Sequence, residues 1–377
     1  MVVVGAGAAG LGLAVRLAAQ GLPGVVLVQA ATPAPERTWC TWQRGPVDWA
    51  QAVSARWDRV AVHGPDGTEQ RHELAPYRYE MVRSVDYQRW AGERLAGVER
   101  RTATVTAIQD GPDTAVVRGE GVEGGSFALR ARWVFDTRPA APSRPGRTRL
   151  LQHFRGWFVR TRVDAFDPGL AGLMDFRVPQ PRGGVAFGYL LPTSPREALV
   201  EYTEFTREVL EDAAYDAALR HYTGAVLGLP AFDVRQVEQG AIPMTDAPFP
   251  RRLGARVFRL GAAGGATRPS TGYTFTAAQR QAAAVAEALA QDRDPEPPPA
   301  YPRRHLAMDA VLLRARDRGG LDGARFFADL FARHPVDRVL RFLDGQSTPR
   351  EELAVLAAAP RGPMIRAALD RGRPGAH

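Results

Sequence analysis
Glu201 is the residue whose surroundings most invite chemistry. Val185 to Leu191 and Ala198 to Thr206 read as two strands joined across Pro192-Thr193-Ser194-Pro195. Strand alternation then puts Leu199, Glu201, Thr203 and Phe205 on one face and Val200, Tyr202 and Glu204 on the other. Only one of the two glutamates faces a given side. A carboxyl flanked on its own face by Leu199 and Phe205 is poorly solvated, which disfavours its ionised form and raises its pKa toward that of a usable proton donor. The competing reading is a surface carboxylate paired with an arginine.

Two glycine clusters point to a second chemistry, the cradling of phosphate. Val2-Val3-Val4 runs into Gly5-Ala6-Gly7-Ala8-Ala9-Gly10 and then into a helical apolar pattern from Leu11 to Ala19, which is strand, tight turn, helix. Gly5 permits the turn, Gly7 lets a pyrophosphate approach the backbone, and Gly10 lets helix and strand pack closely, with the helix N-terminus facing the phosphates. A buried strand over Val25-Val26-Leu27-Val28 completes the βαβ unit. At its end an Asp or Glu ordinarily accepts the ribose hydroxyls; here Gln29 keeps one acceptor oxygen without the charge.

The later cluster follows a strand at Val257-Phe258-Arg259-Leu260. It runs from Gly261 through Gly264 and Gly265 to Pro269-Ser270-Thr271-Gly272-Tyr273, ahead of a helix from about Thr274 to Gln291. A dinucleotide fold at the start and this loop near the end resemble the layout of flavoproteins that wrap FAD with both ends of the chain, which favours FAD over NAD. In the flavin hydroxylases of that group the late strand ends in Gly-Asp. This chain has Gly261-Ala262, which argues against an ordinary hydroxylase.

The elements that position these residues belong to a folded chain of 377 residues, long enough for two or three lobes around a sizeable core. Hydrophobic residues make up 45% and charged residues 24%, which excludes disorder and fibrous repeats. Every one of the 49 basic residues is Arg, set against 41 acidic ones and scattered rather than gathered into a stripe, so no nucleic-acid partner is expected. An anionic membrane surface is the alternative partner for the net charge of +8. The single Cys40 and the spacing of the seven His support neither a disulfide framework nor a metal site, and a reducing cytoplasm is the expected compartment. The apolar N-terminal run is broken by glycines and stopped by Arg16, short of a spanning helix or a signal peptide.

Taken in order, several stretches resemble the lycopene cyclase family: Arg37-Thr38-Trp39-Cys40-Thr41-Trp42, Phe135-Asp136-Thr137-Arg138-Pro139, Gln152-His153-Phe154-Arg155-Gly156-Trp157-Phe158-Val159 and Met174-Asp175-Phe176-Arg177. Tyr189-Leu190-Leu191-Pro192, Leu199-Val200-Glu201-Tyr202-Thr203, Pro269 to Tyr273 and Arg341-Phe342-Leu343-Asp344-Gly345 continue the likeness, which runs across nearly the whole chain. It is closer to the bacterial β-cyclases than to the plant type, whose acidic motif reads Phe-Leu-Glu-Glu-Thr; here only the first Glu is kept, and no role of the second passes to Tyr202.

The resemblance implies an isomerase (intramolecular lyase) that converts lycopene to β-carotene by way of γ-carotene. A terminal double bond is protonated, the cation is captured by a neighbouring alkene, and a ring proton is lost, with no net redox change. It implies reduced FAD, formed with NAD(P)H, as a non-redox partner. Glu201 is the expected acid or base, with Asp175 second, although Asp175 and Arg177 also read as a plain salt bridge. Trp157, Phe158, Tyr189 and Tyr273 are expected to line an apolar tunnel, where water is excluded and aromatic faces offset part of the cation's charge. The alternatives are a redox flavoenzyme of the same fold, a hydroxylase or polyprenyl reductase, and a flavin-binding carotenoid carrier without catalysis.

The expected fold is α/β. An FAD-binding Rossmann-type domain is drawn from residues 1–75, 100–150 and 250–295, a mixed β-sheet substrate lobe from 76–99 and 151–249, and a helical C-terminal cap from 296–377. A proline-rich connector, Asp294 to Pro302, marks the last boundary. Beyond it Arg304 to Arg316 and Gly323 to Leu343 read as helices, the second broken near His334-Pro335. The apolar positions Phe326, Phe327, Leu330, Phe331, Leu340 and Phe342 read first as a face packed on the core and second as a membrane-docking face on a protein peripheral to the inner side of the cell membrane.

Overall fold
The computed structural model describes residues 1–32 and 34–370. The chain opens with β1 (Val2–Val4), α1 (Ala8–Ala19) and β2 (Val26–Gln29), followed by β3 (Thr38–Gln43), β4 (Val53–Trp57), β5 (Arg59–His63), β6 (Glu69–Glu73) and β7 (Arg78–Arg83). Then come α2 (Ser84–Gly92), β8 (Glu99–Gln109), β9 (Ala115–Gly121), β10 (Ser126–Ala131) and β11 (Val134–Asp136). The middle of the chain holds β12 (Arg149–Thr161), β13 (Leu170–Asp175), β14 (Val185–Ser194), β15 (Glu197–Thr206), α3 (Asp212–His221) and β16 (Phe232–Thr245). It closes with β17 (Val257–Arg259), α4 (Phe275–Ala290), α5 (Arg303–Asp317), α6 (Gly323–Arg333), α7 (Val336–Leu343), α8 (Pro349–Ala358) and α9 (Arg361–Leu369).

These strands form three sheets. The first, in the order β10-β9-β8-β2-β1-β11-β17, is parallel from β8 to β17. Its short central strands are apolar on both faces, as burial on both sides demands. Val3, Leu27, Phe135 and Phe258 pack with α1 and α4, while Val2, Val4, Val28, Val134 and Val257 pack with Ala115 and Val117 of the β8–β10 meander. The second sheet, β16-β12-β15-β14-β13-β5-β6, is antiparallel except where β13 meets β5. One of its faces is covered by α3 and the turn after it, the other by the C-terminal helices and the small third sheet, β3-β7-β4.

Strand pairing moves two of the expected boundaries. β5 and β6 join the second sheet through β13, although residues 1–75 were assigned to the nucleotide-binding domain. In the other direction, Tyr87, Trp90 and Ala91 of α2 pack into the core around α1, although residues 76–99 were assigned to the lobe. Both are long-range pairings, and neither leaves a mark in local composition.

The C-terminal cap is helical as expected. Phe327, Leu330, Phe331 and Leu340 are buried against Phe187 and Phe205, so the first reading holds: these side chains pack the cap onto the sheet, and the second, a docking face, does not apply to them. Each such side chain contributes about 1.5–3 kcal/mol by leaving water. Exposed apolar side chains lie further on, at Leu353, Leu356, Ile365 and Leu369. Residues 371–377 fall outside the described part of the expected cap.

Candidate active site
β15 carries Glu201 at the middle of the second sheet, and the register of its neighbours fixes what surrounds it. Glu201 pairs with Tyr189 of β14 on one side and with Gly156 of β12 on the other. Residues opposite one another in an antiparallel pair share a face. Leu199, Phe205, Phe187, Tyr189 and Leu191 therefore stand with Glu201, and all are buried in one apolar cluster with Trp42, Tyr79 and, at its edge, Cys40, Phe158 and Tyr273. The third sheet closes over this face, so that Cys40 and Trp42 of β3 and Tyr79 of β7 come from a part of the chain more than a hundred residues away.

The setting is apolar and aromatic, with Glu201 itself half-buried. Trp42 meets Tyr273 edge-on at 4.7 Å between ring centroids, and Tyr189 meets Phe187 edge-on at 5.2 Å. The Tyr79 hydroxyl is buried without a hydrogen-bond partner. Burial pushes the Glu201 carboxyl up to about 8, reinforced by the negative charge of Glu238 and partly offset by the Thr203 hydroxyl, which donates to Oε1 at 2.8 Å. Among the described residues Glu201 makes no ion pair, so the surface-carboxylate reading does not hold. The same burial pushes the Cys40 thiol up to about 12 and the Tyr79, Tyr189 and Tyr273 hydroxyls above their ordinary values.

Two expected site residues lie elsewhere. Trp157 pairs with Val200, which puts it on the opposite face, packed against Phe232 at 6.4 Å and among Val200, Tyr202 and Tyr222. Its neighbour Phe158, paired with Leu199, is the one that faces Glu201's side. Asp175 is also turned away: its partner Gly188 pairs in turn with Tyr202. The buried carboxylate takes two bonds from the Arg177 guanidinium, at 2.9 and 2.6 Å, one from the Arg177 backbone N–H at 3.1 Å and one from the Tyr222 hydroxyl at 3.2 Å. With four donors committed to it, Asp175 is the anchor of an ion pair rather than a proton donor.

Glu238, which sequence reasoning missed, lies on Glu201's face. It sits on the edge strand β16 opposite Gly156 and is only 3% exposed. Its oxygens accept from the backbone N–H of Thr38 at 2.7 Å and from the Thr38 hydroxyl at 2.6 Å. No local signal marks it, because its burial depends on β3 lying over β16.

At the other end of the fold the first glycine cluster has the shape a phosphate needs. Gly5 has φ of 103°, and a Cβ on Gly10 would lie 1.9 Å from the Gly5 carbonyl oxygen, so neither position accepts a side chain. A Cβ on Gly7 would meet nothing within 4 Å, which is the open space a pyrophosphate requires. α1 begins at Gly7 with no side-chain cap and no acidic residue in its first turn, leaving its N–H groups for an anion. Gln29 stands half-exposed at the end of β2, with a long contact of 3.5 Å from its Nε2 to the Thr102 hydroxyl. These residues fit FAD. In the second cluster the visible constraints are the chain's own: a Cβ on Gly264 would meet the Arg259 carbonyl at 2.5 Å, Gly265 packs over Phe249, and a Cβ on Gly272 would meet Gln152 Oε1 at 2.2 Å. The last contact brings the loop onto the sheet that bears Glu201.

A doubly wound domain with this glycine turn, joined to a mixed sheet and a helical cap, is the fold of FAD-dependent monooxygenases and related flavoproteins. Solved structures agree across nearly the whole chain. A p-nitrophenol 4-monooxygenase from Pseudomonas putida is similar with TM-score 0.58 and 18% identity, covering 98% of this chain and 96% of that one. A geranylgeranyl bacteriochlorophyll reductase-like protein from Thermoplasma acidophilum gives TM-score 0.60 and 14% identity, with 98% of each chain covered. An HpxO variant from Klebsiella pneumoniae complexed with FAD gives TM-score 0.60 and 18% identity over 96% of this chain and 99% of that one. The family model described as lycopene cyclase protein matches residues 1–369, and the chain belongs to that family. No curated protein sequence matches it.

Proposed function
We propose that this protein is a lycopene β-cyclase, an isomerase that closes both ends of linear lycopene, by way of γ-carotene, to give β-carotene with no net change of oxidation state. The observation that carries the reading is Glu201: in a member of this family, a half-buried carboxyl pushed up to about 8 stands among apolar and aromatic side chains without a cationic partner. Protonated near neutral pH, it gives its proton to a terminal double bond. The ring closes on the resulting cation, and the proton lost from the new ring returns to the Glu201 carboxylate, so protons balance and no electrons are transferred. Trp42, Tyr79, Tyr189 and Tyr273 exclude water that would trap the cation and turn aromatic faces toward it.

Gly5, Gly7, Gly10 and the N-terminus of α1 would hold the pyrophosphate of FAD, and Gln29 a ribose hydroxyl. Reduced FAD, formed with NAD(P)H, would supply electron density that stabilises the cation. The substrate is confined to a bilayer, so the protein works at a membrane surface, on the inner face of the cell membrane. No helix among the described residues is long and apolar enough to cross one. Exposed Leu353, Leu356, Ile365 and Leu369, with Arg361 and Arg366 beside them, suit attachment from the surface.

The test is anaerobic incubation of the purified protein with lycopene in liposomes, FAD and excess NADPH, with pigment chromatography and NADPH followed together. Conversion to γ- and β-carotene with only enough NADPH consumed to reduce the flavin supports the cyclase. Consumption in step with product shifts the reading to a redox flavoenzyme of this fold, and unchanged lycopene beside bound, reduced flavin sinks the substrate assignment.

A further inference from the structure
β15, β12 and β16 are neighbours, and Glu201, Gly156 and Glu238 form one row across them. Strands in a sheet lie about 4.8 Å apart, so the two glutamate Cα atoms are about 10 Å apart with a residue between them that has no side chain. A Cβ on Gly156 would already stand 3.5 Å from Glu201 Cβ. The two carboxyls thus stand on the same side of the sheet, flanking Gly156, over which the Leu199 side chain leans (a Cβ on Gly156 would meet its Cδ1 at 2.8 Å), and among these apolar neighbours it is costly for both to be charged.

The donors decide which one is. Glu238 is bonded on both oxygens by Thr38, once by a backbone N–H, which can only donate, and once by its hydroxyl, and two donors favour the ionised form. Burial raises the Glu238 carboxyl above its ordinary value too, but the two Thr38 bonds and the Arg37 guanidinium pull it back toward the charged form, and the opposing Glu36 is itself paired with Arg83 at 2.5 Å. Glu201 has only the Thr203 hydroxyl. The other ionisable groups around Glu201, Cys40 from β3, Tyr79 from β7, Tyr189 from β14 and Tyr273 from the glycine loop, are held neutral by burial. Glu238 is therefore the fixed negative charge that Glu201 faces.

We infer that Glu238 is a positioning residue of this site, a buried carboxylate that holds the proton on Glu201 and so keeps the acid loaded. The inference rests on Glu201 being the acid, but its test does not require turnover. Infrared difference titration of wild type against Glu201→Gln isolates the carboxyl stretch of protonated Glu201 and gives its midpoint. In Glu238→Gln, taken against its own double variant with Glu201→Gln, that midpoint falls by about one pH unit or more, the size of effect a nearby like charge exerts. Thr38→Val takes one donor from Glu238, draws the shared proton toward it and moves the Glu201 midpoint the same way by less. The alkaline limb of cyclisation follows.

A midpoint unmoved in both variants overturns the inference; if Glu238→Gln does not fold, Thr38→Val decides alone. A wild type that shows these midpoints but leaves lycopene unchanged sinks the cyclase reading and leaves the carboxyl pair standing.

Discussion
Glu201 is neutral where an ordinary glutamate is charged, and that gives two expectations with definite signs. As the proposed acid it works only while protonated, so kcat/KM is expected to fall as pH rises through about 8. Glu201→Gln cannot give a proton and is expected to lose cyclisation by about 10²-fold or more, measured as pigment formed per bound flavin. Stability has the same sign: a carboxyl whose folded pKa lies above its ordinary value contributes stability that is present below pH 4.5 and lost as pH rises through about 8. Thermal melting at pH 9 is therefore expected to find Glu201→Gln at least as stable as wild type, whereas wild type leads if Glu201 is a salt-bridged carboxylate. This residue was legible because strand alternation is local and its flanking residues are apolar. Trp157 was misread because its type says only that it is buried, and the face it occupies follows from its pairing with Val200.

At the scale of elements, the turn between β1 and α1 and the joint between the glycine loop and the cap are where single changes tell most. Gly10→Ala puts a methyl group where the Gly5 carbonyl stands, and it is expected to abolish flavin retention on purification, read from the visible spectrum. Arg268, fully buried, binds Asp309 of α5 at 3.1 Å and also the carbonyl of Phe342 at the end of α7. Arg268→Met leaves Asp309 buried and unpaired, and an expected loss of about 3–5 kcal/mol is checked by urea unfolding. Arg268→Met with Asp309→Leu removes both charges and recovers part of it. The β1-turn-α1 unit was readable because its residues are contiguous. The Arg268 joint was not, since its partners lie 41 and 74 residues further along the chain.

The proposed substrate stays in the bilayer, and the whole molecule has to reach it there. Leu353→Ser with Ile365→Ser, on exposed faces of α8 and α9, is expected to weaken sedimentation with anionic vesicles and slow turnover of vesicle-borne lycopene while flavin content stays the same. Sedimentation equal to wild type would move the docking surface elsewhere.

Contiguous patterns carried the sequence reading: the glycine turn, the period of the central strands, the hairpin that bears Glu201 and the helical cap all depend on residues within a few turns or pleats of one another. Their order along the chain was also enough to reveal the lycopene cyclase family. Strand register across the middle sheet decided the rest. It put Glu238 beside Glu201 across Gly156, sent Asp175 and Trp157 to the far face, brought β5 and β6 into the lobe and laid β3 over the carboxyls. Side chains alternate with a period of two, so the face a residue occupies depends on which distant residue it pairs with, and that pairing is settled only when the apolar faces of separate elements are buried together.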